Sequence, residues 1–184
     1  MNDVIEAPGH DLWVPIPLDR TPEAVQQQLL DRFGDDDETA DNAALLAGVA
    51  RQLAETNEQA EQTGMQNLAA WGLLVDPGTL VIRALATLRV ALLEPDTTAE
   101  EVVRGLSGAE TLFEEPLTHP METRSGEAVN VRLRPMVEEA GSSRVHEVAA
   151  VLWPRPELEA WYILGTPRLS VGPRSGFEDR MPSH

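Results

Sequence analysis

Four side chains between residues 35 and 41 have the alternate spacing of a calcium-binding loop. Asp35, Asp37, Thr39 and Asp41 could present oxygen atoms to one cation, and oxygen is the ligand that calcium prefers. Such a loop needs a glycine at its sixth position and a bidentate glutamate at its twelfth, where this chain has alanine and leucine. We therefore predict no metal site here and interpret the acids as charges that stabilise the start of a following helix.

The same acidic run has a second interpretation, as a protein-binding site. The chain carries 31 acids against 14 bases, all of them arginine, for a net charge of −17. The first 64 residues hold 14 of the acids and three of the arginines, so this part is the more acidic surface. We predict that Asp35, Asp36, Asp37 and Glu38 contact a basic protein partner through salt-dependent steering, with a merely solubilising surface as the alternative.

Four arginines suggest a different chemistry. Arg83 and Arg89 lie in one predicted strand, and Arg132 and Arg134 lie in another, each pair on the polar face. If the two strands were neighbours, the guanidinium groups would form a positive strip that could bind an anion, a small molecule or an acidic peptide. The alternative is that these arginines pair with surrounding glutamates.

Catalytic chemistry has little support in the sequence. The four histidines are far apart, and no serine stands in a G-x-S-x-G motif. The chain has no lysine, which excludes both a Walker-type phosphate loop and a Schiff base on lysine. We predict no catalytic residue and no cofactor, and a hydrolase that uses His10 or His119 is the third hypothesis.

Composition also limits the partners. A strongly acidic surface repels phosphate backbones and anionic lipids, so we expect neither nucleic acid nor a membrane as partner. Cysteine is absent, which excludes disulfides and thiolate metal sites. The first residues lack the basic and apolar regions of a secretory signal, so we predict a cytoplasmic protein. A homodimer is compatible with the sequence.

The elements that position these residues begin with a strand at 12–18 and two helices. The strand contains two prolines, which places it at a sheet edge. Thr21 and Pro22 predict a helix start and Gly34 its end. A second helix is predicted at about 41–63, from apolar residues at helical spacing in its first half.

Strand periodicity dominates the rest of the chain. Strands are predicted at 67–75, 80–93 and 127–135, with a type II turn at 76–79 and loop over most of 107–125. In the second strand the apolar residues at even positions, from Leu80 to Leu92, predict the buried face. The capping box formed by Thr98 and Glu101 predicts a short helix at 99–106.

Two tryptophan-containing apolar runs flank Pro154-Arg155-Pro156-Glu157 near the end of the chain. A polyproline ligand would be surrounded by polar linker, so strand-length apolar flanks favour a hairpin with strands at 145–153 and 158–164. Residues 1–165 are predicted to form one domain, and the Gly/Pro-rich residues 166–184 an irregular tail with at most one helical turn at 177–181.

The order of these elements resembles the PsbP-like α/β/α sandwich and its LpqN-type actinobacterial relatives. The likeness rests on LWVPIPLDRTPEAV, NLAAWGLLVDPGTLVIRALATLRVAL, GEAVNVRLRP and LEAWYILGTP. Two features depart from it, the absence of a cysteine for the lipid anchor of the lipoproteins and a Gly/Pro-rich tail in place of a C-terminal helix. Members of this fold mostly bind proteins or ions as accessory subunits, which is what the resemblance implies for this chain.

Together, the sequence predicts an α+β fold. A mainly antiparallel sheet of five or six strands is expected, with two N-terminal helices and one short middle helix packed on it. The expected function is that of a non-catalytic acidic adaptor or accessory protein, with a secretion-associated or chaperone-like factor as a special case.

Overall fold

The structure, a computed structural model, describes residues 10–94, 96–107, 111–139 and 142–166. Its helices are α1 (Pro22–Phe33), α2 (Asp37–Glu58), α3 (Ala60–Thr63) and α4 (Ala99–Ser107), with 3-10 turns at His10–Leu12 and Pro156–Leu158. Its strands are β1 (Trp13–Ile16), β2 (Met65–Leu74), β3 (Ile82–Leu92), β4 (Leu117–Thr123), β5 (Gly126–Leu133), β6 (Met136–Glu139), β7 (Ser142–Val145), β8 (Val148–Arg155) and β9 (Ala160–Gly165). Beyond Thr166, the predicted tail lies outside the described residues.

The main sheet has seven strands in the order β1-β2-β3-β9-β8-β5-β4, and neighbouring strands are antiparallel. The α+β class and the antiparallel sheet are confirmed, but the prediction of five or six strands was wrong. The missed strand is β4, in the part predicted as loop, where every residue but the last is exposed and so shows no alternation of burial. A separate hairpin of β6 and β7 was also missed.

The N-terminal helices begin at side-chain caps. The Thr21 hydroxyl accepts the N–H of Ala24, and Gly34 follows α1 with a φ of 105°, as predicted for this helix. Asp36 caps α2 by accepting the N–H of Thr39 at 3.0 Å. Because Asp36 is the cap, α2 begins at Asp37. The predicted start, at about residue 41, lies inside the helix.

The short middle helix is confirmed, together with its capping box. The Thr98 N–H donates to the Glu101 carboxylate at 2.8 Å, and the Thr98 hydroxyl accepts the N–H of Glu101 at 3.3 Å. These two bonds satisfy donors at the start of α4 that have no partner within the helix.

Beyond Arg83, the buried face of β3 is the opposite of the one predicted. Leu80 and Ile82 pack in the core as predicted. Register shifts next to Leu68 and next to Arg83 interrupt the pairing of β2 with β3. After the shift at Arg83 the odd positions turn toward the helices, and Thr87 is 0% exposed. The even positions from there face the other side, where Leu88 is half-buried and Leu92 is exposed. A bulge reverses the side-chain alternation, which the sequence pattern alone does not reveal.

The apolar core lies on one side of the sheet, in two clusters. Under α1 and α2, Leu46 and Val25 pack against β1 and β2, with Gly72 leaving room for Leu46. The second cluster lies under α4, where Val103 of this helix packs with Leu152 and Ile163 of the central strands. Among the described residues, α1, α2 and α4 thus cover the same face. An α/β/α sandwich has helices on both faces, and the resemblance to the PsbP-like fold stays a prediction.

The predicted hairpin near the end of the chain is confirmed as β8 paired with β9. Its strands differ from the predicted ones, because β8 continues to Arg155 and the connection is the 3-10 turn followed by Glu159 at a φ of 48°. Pro154 pairs with Trp161 of β9, and the pairing of β5 with β8 ends at Leu152. The missing N–H of this proline therefore interrupts no bond to β5.

Two further local features complete the scaffold. The turn at 76–79 is closed by the Thr79 N–H on the Asp76 carbonyl, but Gly78 lacks the positive φ of a type II turn, so that prediction was wrong. Both outer strands of the sheet contain a proline, Pro15 in β1 and Pro120 in β4. No helix in the described ranges is long and apolar enough to cross a membrane.

Candidate protein-docking surface

The side of the sheet that faces away from the described helices carries many large apolar side chains. Strand alternation and the pairing register decide which side chains lie there. Val14, Leu74 and Ile163 point into the core, so their neighbours point to the opposite side. We call this side the open face, and its large apolar residues are Trp13, Trp71, Leu73, Leu88, Val90, Leu92, Leu117, Met121, Val151, Trp153, Tyr162 and Leu164.

Three of the four tryptophans belong to the open face. Trp153 lies directly across from Tyr162 in the register, and its indole N–H donates to the Thr123 hydroxyl at 2.9 Å. Trp71 is paired with Pro15 on one side and with Ala86 on the other. The remaining tryptophan, Trp161, packs against the core under α4. Aromatic residues with one polar atom are enriched where proteins contact each other.

The open face is exposed to solvent, and the acid that reaches its border is Glu147, which is paired with Arg132. Trp13 is 38% exposed and Leu92 is 64% exposed. Among the described strand residues, no aspartate or glutamate points to this side, although the chain has 31 acids. The charged strand residues here are Arg132 and Arg155, both toward the β5 end of the sheet. Exposed apolar patches of this kind mark sites that contact other molecules.

The opposite, outer side of the helix layer is acidic. Between Asp19 and Glu61 the sequence has eleven carboxylates and three arginines. We call the exposed acids of this layer the acidic helix surface, and they are Glu23, Asp31, Asp35, Asp36, Asp37, Glu38, Asp41, Glu55, Glu58 and Glu61. Helices and open face therefore present opposite chemistries on the two sides of one sheet.

The predicted protein-binding residues lie together at the start of α2, and their roles differ. Asp36 is the cap, and the bonds from the Thr39 N–H and hydroxyl hold its pKa below the ordinary value. Asp35, Asp37 and Glu38 are exposed. In the described part of the chain, no three His, Asp or Glu side chains are placed to share a metal ion.

The four predicted anion-binding arginines do not form a strip. Strands β3 and β5 are separated by β9 and β8, a distance of about 14 Å at the usual strand spacing. Arg89 lies on the helix side of β3, half-buried, with a guanidinium nitrogen 3.9 Å from the Met65 sulfur. Arg83 is exposed at the bulge, beside Asn42 and Leu45 of α2. The predicted strip therefore does not form. The alternation of polar and apolar residues within a strand does not determine which strands are neighbours in the sheet.

The other two arginines are joined by a shared acid. Glu147 accepts from Arg132 at 2.5 Å and from Arg134 at 3.4 Å, and Arg134 also pairs with Glu114 at 3.0 Å. The hydrogen bond and charge of Arg132, with a smaller contribution from Arg134, hold the pKa of Glu147 below its ordinary value. This arrangement matches the alternative interpretation, in which the arginines pair with glutamates.

One histidine proposed for catalysis is near these charges. His119 on β4 lines an open cleft of about 380 Å³ with Asn130, Arg132 and Glu147. The cleft also contains Leu117 and Ala149, and no serine or threonine hydroxyl lines it. The side chain of His10 lies outside the described part of the chain. The cleft supplies polar contacts at the border of the open face and no nucleophile.

Sequence reasoning missed the open face as a site. The signal was present in the apolar even positions of β3, but these were predicted to be the buried face, and the tryptophan of β8 was predicted only to belong to a hairpin strand. In comparisons with known proteins, no family model matches the sequence and no curated protein matches it. The geometry is therefore the only guide to function.

Proposed function

We propose that this protein is a non-catalytic adaptor or accessory protein that acts by binding another protein. The observation that carries the proposal is the separation of chemistries across the sheet, with acids on the helix layer and, behind it, a largely apolar face whose described strand residues include no acid. Both are contact surfaces rather than pockets that enclose a small molecule. The proposed compartment is the cytoplasm, and a secretion-associated or chaperone-like factor is one form of this function.

The acidic helix surface indicates a basic partner. α2 alone is 22 residues long, so its carboxylates extend over roughly 33 Å. A surface of this length and sign attracts a basic protein over a Debye length of about 8 Å at physiological salt. Three of the four acids at the start of α2 have no capping role. They can bind a partner without loss of helix stability.

The two alternatives have weaker support. An anion-binding domain would need the arginines together, whereas Arg132 and Arg134 are paired with Glu147 and the other two lie on other parts of the sheet. A hydrolase at His119 would need a nucleophile or an activated water, and the polar side chains that line its cleft belong to Asn130, Arg132 and Glu147.

The test is a pull-down of the tagged full chain from host lysate at about 0.1 M and 0.5 M salt, with mass spectrometry. The variant D35N/D36N/D37N/E38Q removes four charges at the start of α2. Asparagine caps helices as well as aspartate does, so the fold is preserved. We expect a stoichiometric basic partner that is retained by the wild type at low salt and lost by this variant.

A matched control separates a docking site from bulk charge. The variant E94Q/E122Q/E127Q/E157Q changes the net charge by the same amount at exposed acids outside the helix layer. It should retain the partner. Equal loss in both variants, or a partner that resists 0.5 M salt, would contradict a basic partner bound at the start of α2.

A further inference from the structure

We propose that a second copy of this chain covers the open face, so that the protein is a face-to-face homodimer. This inference concerns a different surface from the acidic helix surface and does not depend on the basic partner. Trp71, Trp153 and Tyr162 lie on the side of the sheet that no described helix covers. A symmetric dimer brings the same patch together from both subunits, so an apolar patch complements itself.

The size of the open face fits a dimer interface. Seven strands span roughly 29 Å between the outer strand axes, and about 20 Å of each long strand faces the surface, for a flat footprint of roughly 600 Å². Side-chain relief raises the accessible area above the footprint. Stable interfaces bury about 1,200–2,000 Å² in total, and two such footprints reach the lower end of that range.

The charge distribution permits two highly acidic copies to associate in this way. Each chain has a net charge of −17, but the strand positions of the open face carry no acid in the described residues. Two packed sheets lie about 10 Å apart, with a helix layer about 10 Å thick outside each. The two acidic helix surfaces would then be roughly 30 Å apart, more than three Debye lengths at physiological salt. Their mutual repulsion is therefore screened.

The charges that do lie on the open face are already paired or bonded within the chain. Arg132 is bonded to Glu147, and Arg155 donates to the Ser125 carbonyl at 2.9 Å. Both arginines lie toward one side of the sheet, where β5 and β8 meet. A second copy therefore contacts an apolar centre with a polar border, which is the usual anatomy of a protein interface.

The test is sedimentation equilibrium of the purified full chain from about 1 to 100 µM, at 0.15 M and 0.5 M salt. One chain has a mass of 20.1 kDa, and we expect the wild type to approach twice that mass. Because apolar burial holds the dimer, the higher salt should not weaken it. Binding of the basic partner, in contrast, is expected to be lost at the higher salt. Either proposal can therefore be rejected without rejecting the other.

Two variants place a charge on the open face. Leu88→Glu lies at its centre, and Leu92→Glu lies at its edge, where a 64% exposed side chain can be changed without disturbing the core. Each should raise the dimer dissociation constant at least roughly tenfold. Leu45→Glu on α2 is the matched control, since Leu45 is 53% exposed but belongs to the helix layer, and it should remain dimeric.

Several outcomes would overturn the homodimer. A wild type that stays at 20.1 kDa up to about 100 µM would do so, as would Leu92→Glu remaining as dimeric as Leu45→Glu. A monomer that loses a different protein when Leu92 becomes glutamate would assign the open face to that protein instead. If Leu88→Glu fails to fold, Leu92→Glu and the mass of the wild type still decide.

Discussion

Asn57 at the end of α2 and Asn67 in β2 bind each other through side chain and backbone. The Asn67 N–H donates to the Asn57 side-chain oxygen at 2.7 Å, and the Asn57 amide donates back to the Asn67 carbonyl at 2.9 Å. The Asn67 amide also reaches the Leu53 carbonyl at 3.2 Å. This pair fastens the polar end of the long helix to the sheet beside the bulge at Leu68.

Asn57→Ala should therefore lower the free energy of unfolding by about 1–3 kcal/mol, because it leaves the backbone N–H and carbonyl of the buried Asn67 without their partner. Urea unfolding followed by circular dichroism measures this. Asn130→Ala, at an exposed position of β5, is the control and should change stability by less than about 0.5 kcal/mol. Equal effects in both variants would mean that the Asn57–Asn67 pair does not fasten α2.

Gly165 ends the central strand where the neighbouring backbone is closest. A Cβ added at this position would lie 2.7 Å from the Ala149 carbonyl oxygen and 2.9 Å from the Ala150 Cβ. Backbone cannot move aside cheaply, so Gly165→Ala should destabilise the protein by about 1–3 kcal/mol.

The same substitution at a second glycine, Gly48, should have the opposite effect on stability. Gly48 lies within α2 and has no atom within 4 Å of an added Cβ. Gly48→Ala should stabilise by about 0.5–1 kcal/mol, because alanine is the better helix former. Thermal unfolding of Gly48→Ala and Gly165→Ala, compared with the wild type, measures both signs. A stabilised Gly165→Ala would contradict the close approach of β8 and β9.

The cap of α2 should make part of the stability depend on pH. The pKa of Asp36 is lower in the folded state, so the stability it contributes is complete above the unfolded value of about 4. It is lost as the pH falls through the lower, folded value. Asp36→Asn keeps a good cap but does not titrate. The difference in urea midpoint between wild type and variant at pH 7 should therefore shrink or reverse near pH 3.

Asp37→Asn serves as the control for this pH dependence, because Asp37 is exposed and is not the cap. It removes the same charge from the start of α2 and leaves the Thr39 bonds to Asp36 in place. Parallel pH profiles for the wild type and Asp36→Asn would contradict the role assigned to the Thr39 bonds.

The pairing of Arg132 with Glu147 should matter little for stability. Their side chains are 44% and 50% exposed, so solvent screens the attraction between the two charges. A double-mutant cycle with Arg132→Gln and Glu147→Gln should give a coupling energy that is small compared with the effect of Asn57→Ala. A larger coupling would indicate that this pair organises the border of the open face.

The local part of the fold could be predicted and the long-range part could not. Thr21, Gly34 and the capping box at Thr98 act within a few residues, so their patterns predicted helix ends correctly. The position of a bulge depends on the partner strand. The sequence pattern of β3 alone therefore predicted the wrong buried face beyond Arg83. The exposed strand β4 has no apolar alternation to detect.

The same difference between local and long-range structure explains which parts of the candidate site could be predicted. The acids at the start of α2 are adjacent in sequence and stay together, whereas the arginine strip required β3 to lie beside β5. The chain instead places its last strand, β9, next to β3. The open face depends on both the strand order and the bulges, so its apolar residues resembled core in the sequence.

The prolines of the outer strands set a limit on how this protein can assemble. Pro15 and Pro120 each remove a donor from an edge where another chain could otherwise add a strand. Growth of the sheet into a fibril is therefore disfavoured at both ends. In the proposed homodimer, contact through the open face would occupy that face in both subunits, so assembly would stop at two chains.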